Sequence, residues 1–520
     1  YGAQPKFTAP VDTTVVGLEA EMLYLGWRAD KGNSLQCDTL DIIGELLSNG
    51  SAGLYDLNLN RTMKVQSAGA GFSELTDYSM FIAMGIPKKG QTLQEVRDLL
   101  LAEIEKLKKG DFSDDLLPSV INNYKRSYYT SLDNNQFRAK AFVDAFINNV
   151  DWKQEVDRLN RISKMTKAEI VSFANRFFDN GYAAVYKVQG TDTTIQKVDK
   201  PKITPIPTNN DKHSAFLQEI VNHQVEPIKP VFVDFKKDLT KSTTKKGWPI
   251  LYKQNTQDDL FTLYLEIPFG KESDLLPGYA KMYIDYLGTD KMTNAQIKQE
   301  LYKLACDYDI GQTDDETYFK LTGLNENLPK ALALINDVID NAKVDKEAYA
   351  AAVDLLIKSQ KDTKADQKSN FRALQDYGMY GAYNSTRNIL SEEQLKKMDP
   401  QKLLNSLKGL KNYKQTVLYY GPSSLKDIDN LLSKTFKTAK KFTPLPKEKR
   451  YTLQATPKNE ILIAPYDAKN IYMVQFHNEN KEWNPNDAAK IAVFNEYFGG
   501  GMNAIVFQEM REARALAYSA

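Results

Sequence analysis

Cysteine and histidine are scarce in this chain: two and three residues respectively in 520. Cys37 and Cys306 stand far apart, which excludes a disulfide framework or a thiol metal site and leaves two isolated thiols. His213, His223 and His477 do not cluster, and no two are spaced i, i+4. A catalytic zinc needs about three close protein ligands, usually histidines with a carboxylate, so each histidine reads as solvated or capping. No apolar run reaches the ~18 residues of a membrane span. A net charge of +1 gives no global field to recruit nucleic acid or an anionic membrane. The opening residues, YGAQPKFTAP, lack the basic and apolar regions of a signal peptide. Compartment is open on the residues alone. There is no G-x-S-x-G elbow. There is no Walker loop or dinucleotide fingerprint either, because FGGGMNA at 498–504 lacks the lysine and the preceding buried strand.

What is present is a soluble-protein composition, 42% hydrophobic and 26% charged, on a chain long enough for about three domains. The stretch from Met165 (MTKAEIVSFANRFFDNGYAAVYKVQG) parallels that from Met398 (MDPQKLLNSLKGLKNYKQTVLYYGPS). Each reads as a helix start, an amphipathic helix, a turn and a strand. The stretch from Tyr78 likewise parallels that from Tyr318 as strand, long helix, break, long helix. The copies lie roughly 235 residues apart, too far for a solenoid, so a duplicated domain is expected. A partial third copy after Asn470 resembles residues 21–54 as strand, polar turn, helix, glycine break and helix.

The expected fold class is α+β. Repeated α/β domains would each hold a mostly antiparallel sheet with long helices on one face. The expected boundaries are a domain over 1–190, a linker over 191–247, a domain over 248–424, a basic linker over 425–451 and a partial domain over 452–520. The first linker carries Pro201, Pro205, Pro207, Pro227 and Pro230. The basic run 437–450 reads as a solvated strap rather than a polyanion site, because no aromatics interleave with its charges.

One polar constellation stands out. A helix is expected over Met502–Arg514, burying Ile505, Phe507, Met510 and Leu516. Arg511 lies near its C-terminal end, and Tyr518, seven positions on, falls in the strand expected next. The pair could hold a peptide carbonyl or a developing oxyanion. It could equally be a surface ion pair and a half-buried core tyrosine. In the early copy Arg61 stands in the place of Arg511, with Ala68 seven positions later.

GGGMNAIVFQEMREARALAYS, residues 499–519, resembles the block in the last domain of the pitrilysin/insulinase-type zinc peptidases, the inverzincins. The repeat pattern resembles their four homologous domains in two closing halves. The resemblance implies that the chain corresponds to the second, third and part of the fourth domain, Ala520 falling inside the fourth. It also implies that Arg511 and Tyr518 bind substrate across the chamber. In IPFGKESDLLPGYAKMYIDYLGTDKMTNAQIKQEL, register from Gly288 and Thr289 puts Tyr279, Met282 and Tyr283 where the family's zinc-binding His, general-base Glu and second His stand. None of the three suits zinc, and methionine is no general base.

The expectation is therefore a non-catalytic, substrate-binding and chamber-forming part of a zinc endopeptidase, inactive alone. Zinc would sit in an absent first domain. The implied partners are a peptide or unfolded polypeptide substrate and the zinc-bearing N-terminal domain or a homologous subunit, with no nucleic acid and no membrane span. A periplasmic or secreted setting would follow if a signal peptide lay upstream. The alternative is an interaction subunit that never carried zinc.

Overall fold

A computed structural model describes the chain except residues 1–3, 195, 197, 200, 203, 205–211, 437–440, 448, 468–469 and 520. Pro205, Pro207, Ala520 and the start of the basic run lie outside the described residues. The chain forms two units: one of residues 1–191, 235–453 and 461–474, the other of 192–234, 454–460 and 475–520.

The larger unit holds two sheets. The first comprises β1 (Val11–Gly17), β2 (Met22–Arg28), β3 (Ser67–Ser73), β4 (Met80–Ile86) and β5 (Ala183–Gln189), in the order β1-β5-β2-β4-β3. The second comprises β6 (Thr240–Thr243), β7 (Pro249–Gln254), β8 (Leu260–Ile267), β9 (Cys306–Gln312), β10 (Thr317–Leu324) and β11 (Thr416–Gly421), in the order β6-β7-β11-β8-β10-β9. Apart from the extra edge strand β6, the two orders are the same. Each sheet has one parallel pair, β1 with β5 and β7 with β11, and is otherwise antiparallel. The strands after Tyr78 and at Tyr318, β4 and β10, occupy the same place in the two sheets.

Sequence period explains the strands. In β8, Phe261, Leu263, Leu265 and Ile267 are buried and alternate with less buried residues, so one pleat face meets the core. With the first sheet go α1 (Gln36–Leu47), α2 (Leu93–Lys109), α3 (Leu116–Leu132), α4 (Asn135–Ile147), α5 (Trp152–Val156), α6 (Arg158–Ser163) and α7 (Lys167–Phe177). The smaller unit carries α8 (Ala215–Asn222). With the second sheet go α9 (Leu276–Ile284), α10 (Asn294–Lys303), α11 (Leu328–Asn341), α12 (Lys346–Ala365), α13 (Gln367–Tyr380), α14 (Glu392–Lys397), α15 (Pro400–Gly409) and α16 (Leu425–Thr435). In the smaller unit, α17 spans Ala488–Asn495. Thr92 and Glu95 close a capping box at the start of α2, and Gly110, at φ 71°, ends it, the left-handed conformation glycine adopts without penalty.

Three expectations need correction. Leu425–Thr435, assigned to a basic linker, is helix α16, which buries Ile428 and Leu432 in the second core. Its apolar residues recur at helical spacing, and the helix ends before the basic run. Thr240–Thr243, assigned to the first linker, pairs with β7 as an edge strand. The third copy forms no strand at 471–477. Its counterpart β2 is held on both sides by β4 and β5, and no such neighbours exist among the described residues near 471–477. An apolar run becomes a strand only where partners pair its backbone.

Candidate functional site

Helix α9 carries the three positions equated with a zinc motif. Pro277 sits in its first turn, where its missing N–H costs nothing. Tyr279, Met282 and Tyr283 then fall at i, i+3 and i+4, on one side of the helix. Tyr283 is fully buried. Its hydroxyl donates to the Asp345 carbonyl at 2.8 Å and accepts from the Asp345 N–H at 2.9 Å, while its ring meets Tyr349 edge-on. The Tyr279 hydroxyl accepts from the Leu390 N–H at 2.9 Å. Burial pushes both phenols above their ordinary range. The two tyrosines thus spend their oxygens on backbone groups of neighbouring segments, and Met282 offers only a thioether. This donor set does not fit zinc. Among the described residues, no group of three or more His, Cys, Asp or Glu is placed to hold a metal ion.

Immediately after α9 lies a buried polar cluster that sequence reasoning missed. Lys298 donates to Asp285 Oδ1 at 2.7 Å and to the Tyr308 hydroxyl at 3.0 Å; Tyr308 itself donates to Asp285 Oδ1 at 2.9 Å. Arg61, from the first sheet's domain, donates to the Asp285 carbonyl at 3.4 Å and to the Gly50 carbonyl at 3.3 Å. Burial alone would raise the Asp285 carboxyl, but Lys298, then Arg61, outweigh it and hold it below its usual range. Burial lowers the Lys298 ammonium against the pull of Asp285. Burial and Asp285 together push the Tyr308 phenol well up. Each charge is paired, as burial demands. Nearby, Asn123 donates to the Tyr302 carbonyl at 2.8 Å and Arg126 to the Ala305 carbonyl at 2.8 Å. Tyr302 of α10 is buried within the first domain's core. The two domains are therefore joined through the turn that carries Arg61 and the stretch from Asp285 to Tyr308.

Local backbone geometry supplies a register that residue identity did not. Ala305 and Ala515 each sit at φ 47°, and Met63 at φ 51°, a region uncommon for residues with a Cβ. Each ends a helical turn, before β9, before residues 516–519 and before β3. Counting three on gives Tyr308, Tyr518 and Gln66. Aligning Arg61 with Arg511 had pointed to Ala68 instead. By this register Tyr308 is the counterpart of Tyr518. A tyrosine three residues beyond an alanine in both stretches was the signal available in the sequence.

In the smaller unit the glycine block behaves partly as expected. α17 runs into a wide turn with i→i+5 bonding at Glu496–Gly500, and Gly501 is extended. The helix expected over Met502–Arg514 is shorter, spanning residues 505–512, and its last six residues, Phe507–Glu512, are wound in wide turns. Ile505 and Leu516 are exposed rather than buried, Phe507 and Met510 are half-buried, and Tyr518 lies in no strand. Few apolar partners surround the segment, and a short helix gains little stability without a packed face. Arg511 and Tyr518 nonetheless meet. The guanidinium carbon lies 4.5 Å from the Tyr518 ring centroid and 4.5 Å from that of Phe507, and its Nε is 3.4 Å from a Glu512 carboxylate oxygen. Tyr518 is 85% exposed, so its hydroxyl is presented outward. The arrangement is a cation held between two rings with a phenol at its edge.

Two family models match stretches of this chain. The family described as "Peptidase M16 inactive domain" matches residues 2–124 and 412–520, the latter range including Arg511 and Tyr518. The family described as "Insulinase (Peptidase family M16)" matches residues 250–387, which include Tyr279, Met282 and Tyr283. The zinc protease PqqE of Helicobacter pylori is 27% identical over 168 residues, 31% of this chain and 36% of that protein. The mitochondrial-processing peptidase subunit beta of Neurospora crassa is 22% identical over 130 residues, 24% of this chain and 27% of that protein. The chain thus spans well under half the length of these relatives. Among solved structures, the ferredoxin protease FusC E83A mutant in complex with Arabidopsis ferredoxin aligns with a TM-score of 0.45 at 11% identity, covering 86% of this chain and 53% of that one.

Proposed function

Because the chain belongs to the pitrilysin/insulinase-type M16 peptidase family, we propose that it is the non-catalytic, chamber-forming and substrate-binding part of a zinc-dependent endopeptidase. On this reading residues 1–190, 240–436 and 452–520 stand for its second, third and partial fourth domains. Zinc and the general base belong to a first domain or homologous subunit outside this chain. The substrate is a peptide or unfolded polypeptide.

The observation that carries the reading is the contact between Arg511 and Tyr518. The pair stays together although the expected helix is shortened to residues 505–512 and the expected strand does not form. The guanidinium, held between Phe507 and Tyr518, supplies a fixed positive charge, and the outward phenol supplies a neutral donor. Together they suit a substrate carbonyl that gains negative charge in the transition state. The tyrosines on α9 support the non-catalytic half of the reading, since their hydroxyls serve the fold.

The test is made in the peptidase reassembled from this chain and its zinc-bearing partner. Tyr518→Phe should lower kcat/KM by roughly 100-fold or more, the loss expected for one oxyanion donor. Arg511→Ala should cost a similar factor, and the double variant less than the product of the two. Unchanged activity in both single variants would return the pair to a surface role.

A further inference from the structure

The junction between the two duplicated domains leaves two polar side chains unused. A cleft of about 250 Å³ lies between the start of α3 in the first domain and α10 in the second. Ala52, Leu116 and Met292 give it an apolar lining, and Asp115, Glu300, Tyr302 and Lys303 give it polar and charged groups. It is somewhat smaller than the ~300–1,000 Å³ of sites for drug-sized ligands, so it suits a small molecule or a single side chain.

Glu300 and Lys303 stand three apart on α10, where a carboxylate and an ammonium ordinarily meet. Lys303 instead donates across the cleft to Asp115 at 3.0 Å. Glu300 is left exposed, and among the described residues no cation pairs with it. Tyr302 is the reverse case. It is only 6% exposed, and its hydroxyl has no hydrogen-bond partner among the described residues. A buried hydroxyl without a partner costs stability, and phenylalanine would fill the same place without that cost. Burial, then the carboxylates of Glu45 and Asp307, push the phenol upward against Arg126. It therefore stays neutral in surroundings where negative charge dominates. The cleft lining itself carries two carboxylates against one ammonium.

We propose that this cleft binds a small organic cation, a primary amine on an aliphatic body, through Glu300 and the Tyr302 hydroxyl. An ammonium offers three donors and no acceptor, which matches two unused groups that can both accept. An anion would instead face Glu300 and Asp115. The aliphatic body lies on Ala52, Leu116 and Met292. A free alkylamine and the lysine side chain of a polypeptide share this chemistry. Because the lining comes from both domains, the bound cation also ties α3 to α10. The site lies beyond the peptidase reading above and needs neither zinc nor Arg511.

The probe is n-hexylamine, titrated into this chain at neutral pH and followed by saturation-transfer NMR. 1-Hexanol and hexanoate serve as neutral and anionic counterparts with the same body. Saturable binding of hexylamine alone is expected. Glu300→Gln, a substitution at an exposed position, should weaken it about 10-fold or more, the loss expected for one charged hydrogen bond. Tyr302→Phe should weaken it several-fold, yet melt no lower than the parent, because it removes a buried hydroxyl that has no partner. A tyrosine that served packing alone would leave binding unchanged. Tighter binding of Nα-acetyl-lysine methylamide than of hexylamine assigns the site to polypeptide side chains, and weaker binding assigns it to free amines; either upholds the site. Absence of saturable hexylamine binding, equal binding of hexanol, or an affinity indifferent to Glu300→Gln overturns the proposal. None of these results depends on Arg511 or Tyr518, so the outcome separates from that of the activity test.

Discussion

Two turns of the same kind end in a tyrosine, and the chain uses them in opposite ways. At Ala305–Tyr308 the phenol is buried, bonded to Lys298 and Asp285 and tied through Arg61 to the neighbouring domain. At Ala515–Tyr518 the phenol is exposed and its ring stacks on Arg511. Backbone geometry is shared; the fate of the hydroxyl is set by what the preceding helix supplies. Two turns before Ala305, α10 supplies a lysine pointing into a low-dielectric junction, which holds an internal carboxylate. The turn before Ala515 supplies an arginine at the surface, which leaves the hydroxyl free for a ligand. One tyrosine therefore serves stability, and the other serves recognition on the proposed reading.

The largest break in this comparison comes from the buried side. Lys298→Ala removes the cation from Asp285 and leaves a buried carboxylate short of a partner, which should cost about 3–5 kcal/mol. The urea midpoint should fall accordingly, and a shift worth less than about 1 kcal/mol would mean that water reaches the cluster.

A somewhat smaller effect concerns pH. Burial, with Asp41 and Asp56 adding, pushes the Glu45 carboxyl from 4.5 to about 7. The folded state thus holds this proton more tightly than the unfolded chain does. The sign follows: this contribution to stability is complete below pH 4.5 and is lost as pH rises to about 7, on the order of 3 kcal/mol in all. Glu45 and the phenol of Tyr302 act on each other electrostatically across the same junction. Melting temperatures across pH 4.5–7 should therefore decline in the parent and flatten in Glu45→Gln. An equal slope in both would remove Glu45 from the account.

The smallest expected effect is none at all. Exhaustive chelation should leave the melting temperature of this chain unchanged, because the tyrosines on α9 are bonded to backbone rather than to a metal. A fall of several degrees on chelation would contradict that.

The doubled architecture was legible in the sequence because periodicity and helix-start signals recur in order. The strands after Tyr78 and at Tyr318 take the same place in two sheets of matching order. The late copy was less legible. Its apolar run at 471–477 has the pattern of a strand, but a strand also needs neighbours, and sequence periodicity does not report them. Arg511 and Tyr518 were singled out by spacing, and their contact joins a helix shorter than expected to a stretch that is not the strand expected. Tyr308 was missed because the alignment was anchored on arginine. The structural register is set by a left-handed residue, and alanine and methionine give no hint of that conformation as glycine would. Asp285 and Lys298 look like ordinary surface residues in sequence, and only the fold brings them together with Tyr308.

The central claim is tested most directly by making the same substitution in the two turns. Tyr308→Phe and Tyr518→Phe each remove one hydroxyl, and both melting temperature and kcat/KM should be measured in the reassembled peptidase. Tyr308→Phe should lose about 1–2 kcal/mol of stability with little change in kcat/KM. Tyr518→Phe should leave stability within about 0.5 kcal/mol and reduce kcat/KM by roughly two orders of magnitude. Full activity in Tyr518→Phe, or a loss that only follows its melting temperature, would contradict the account.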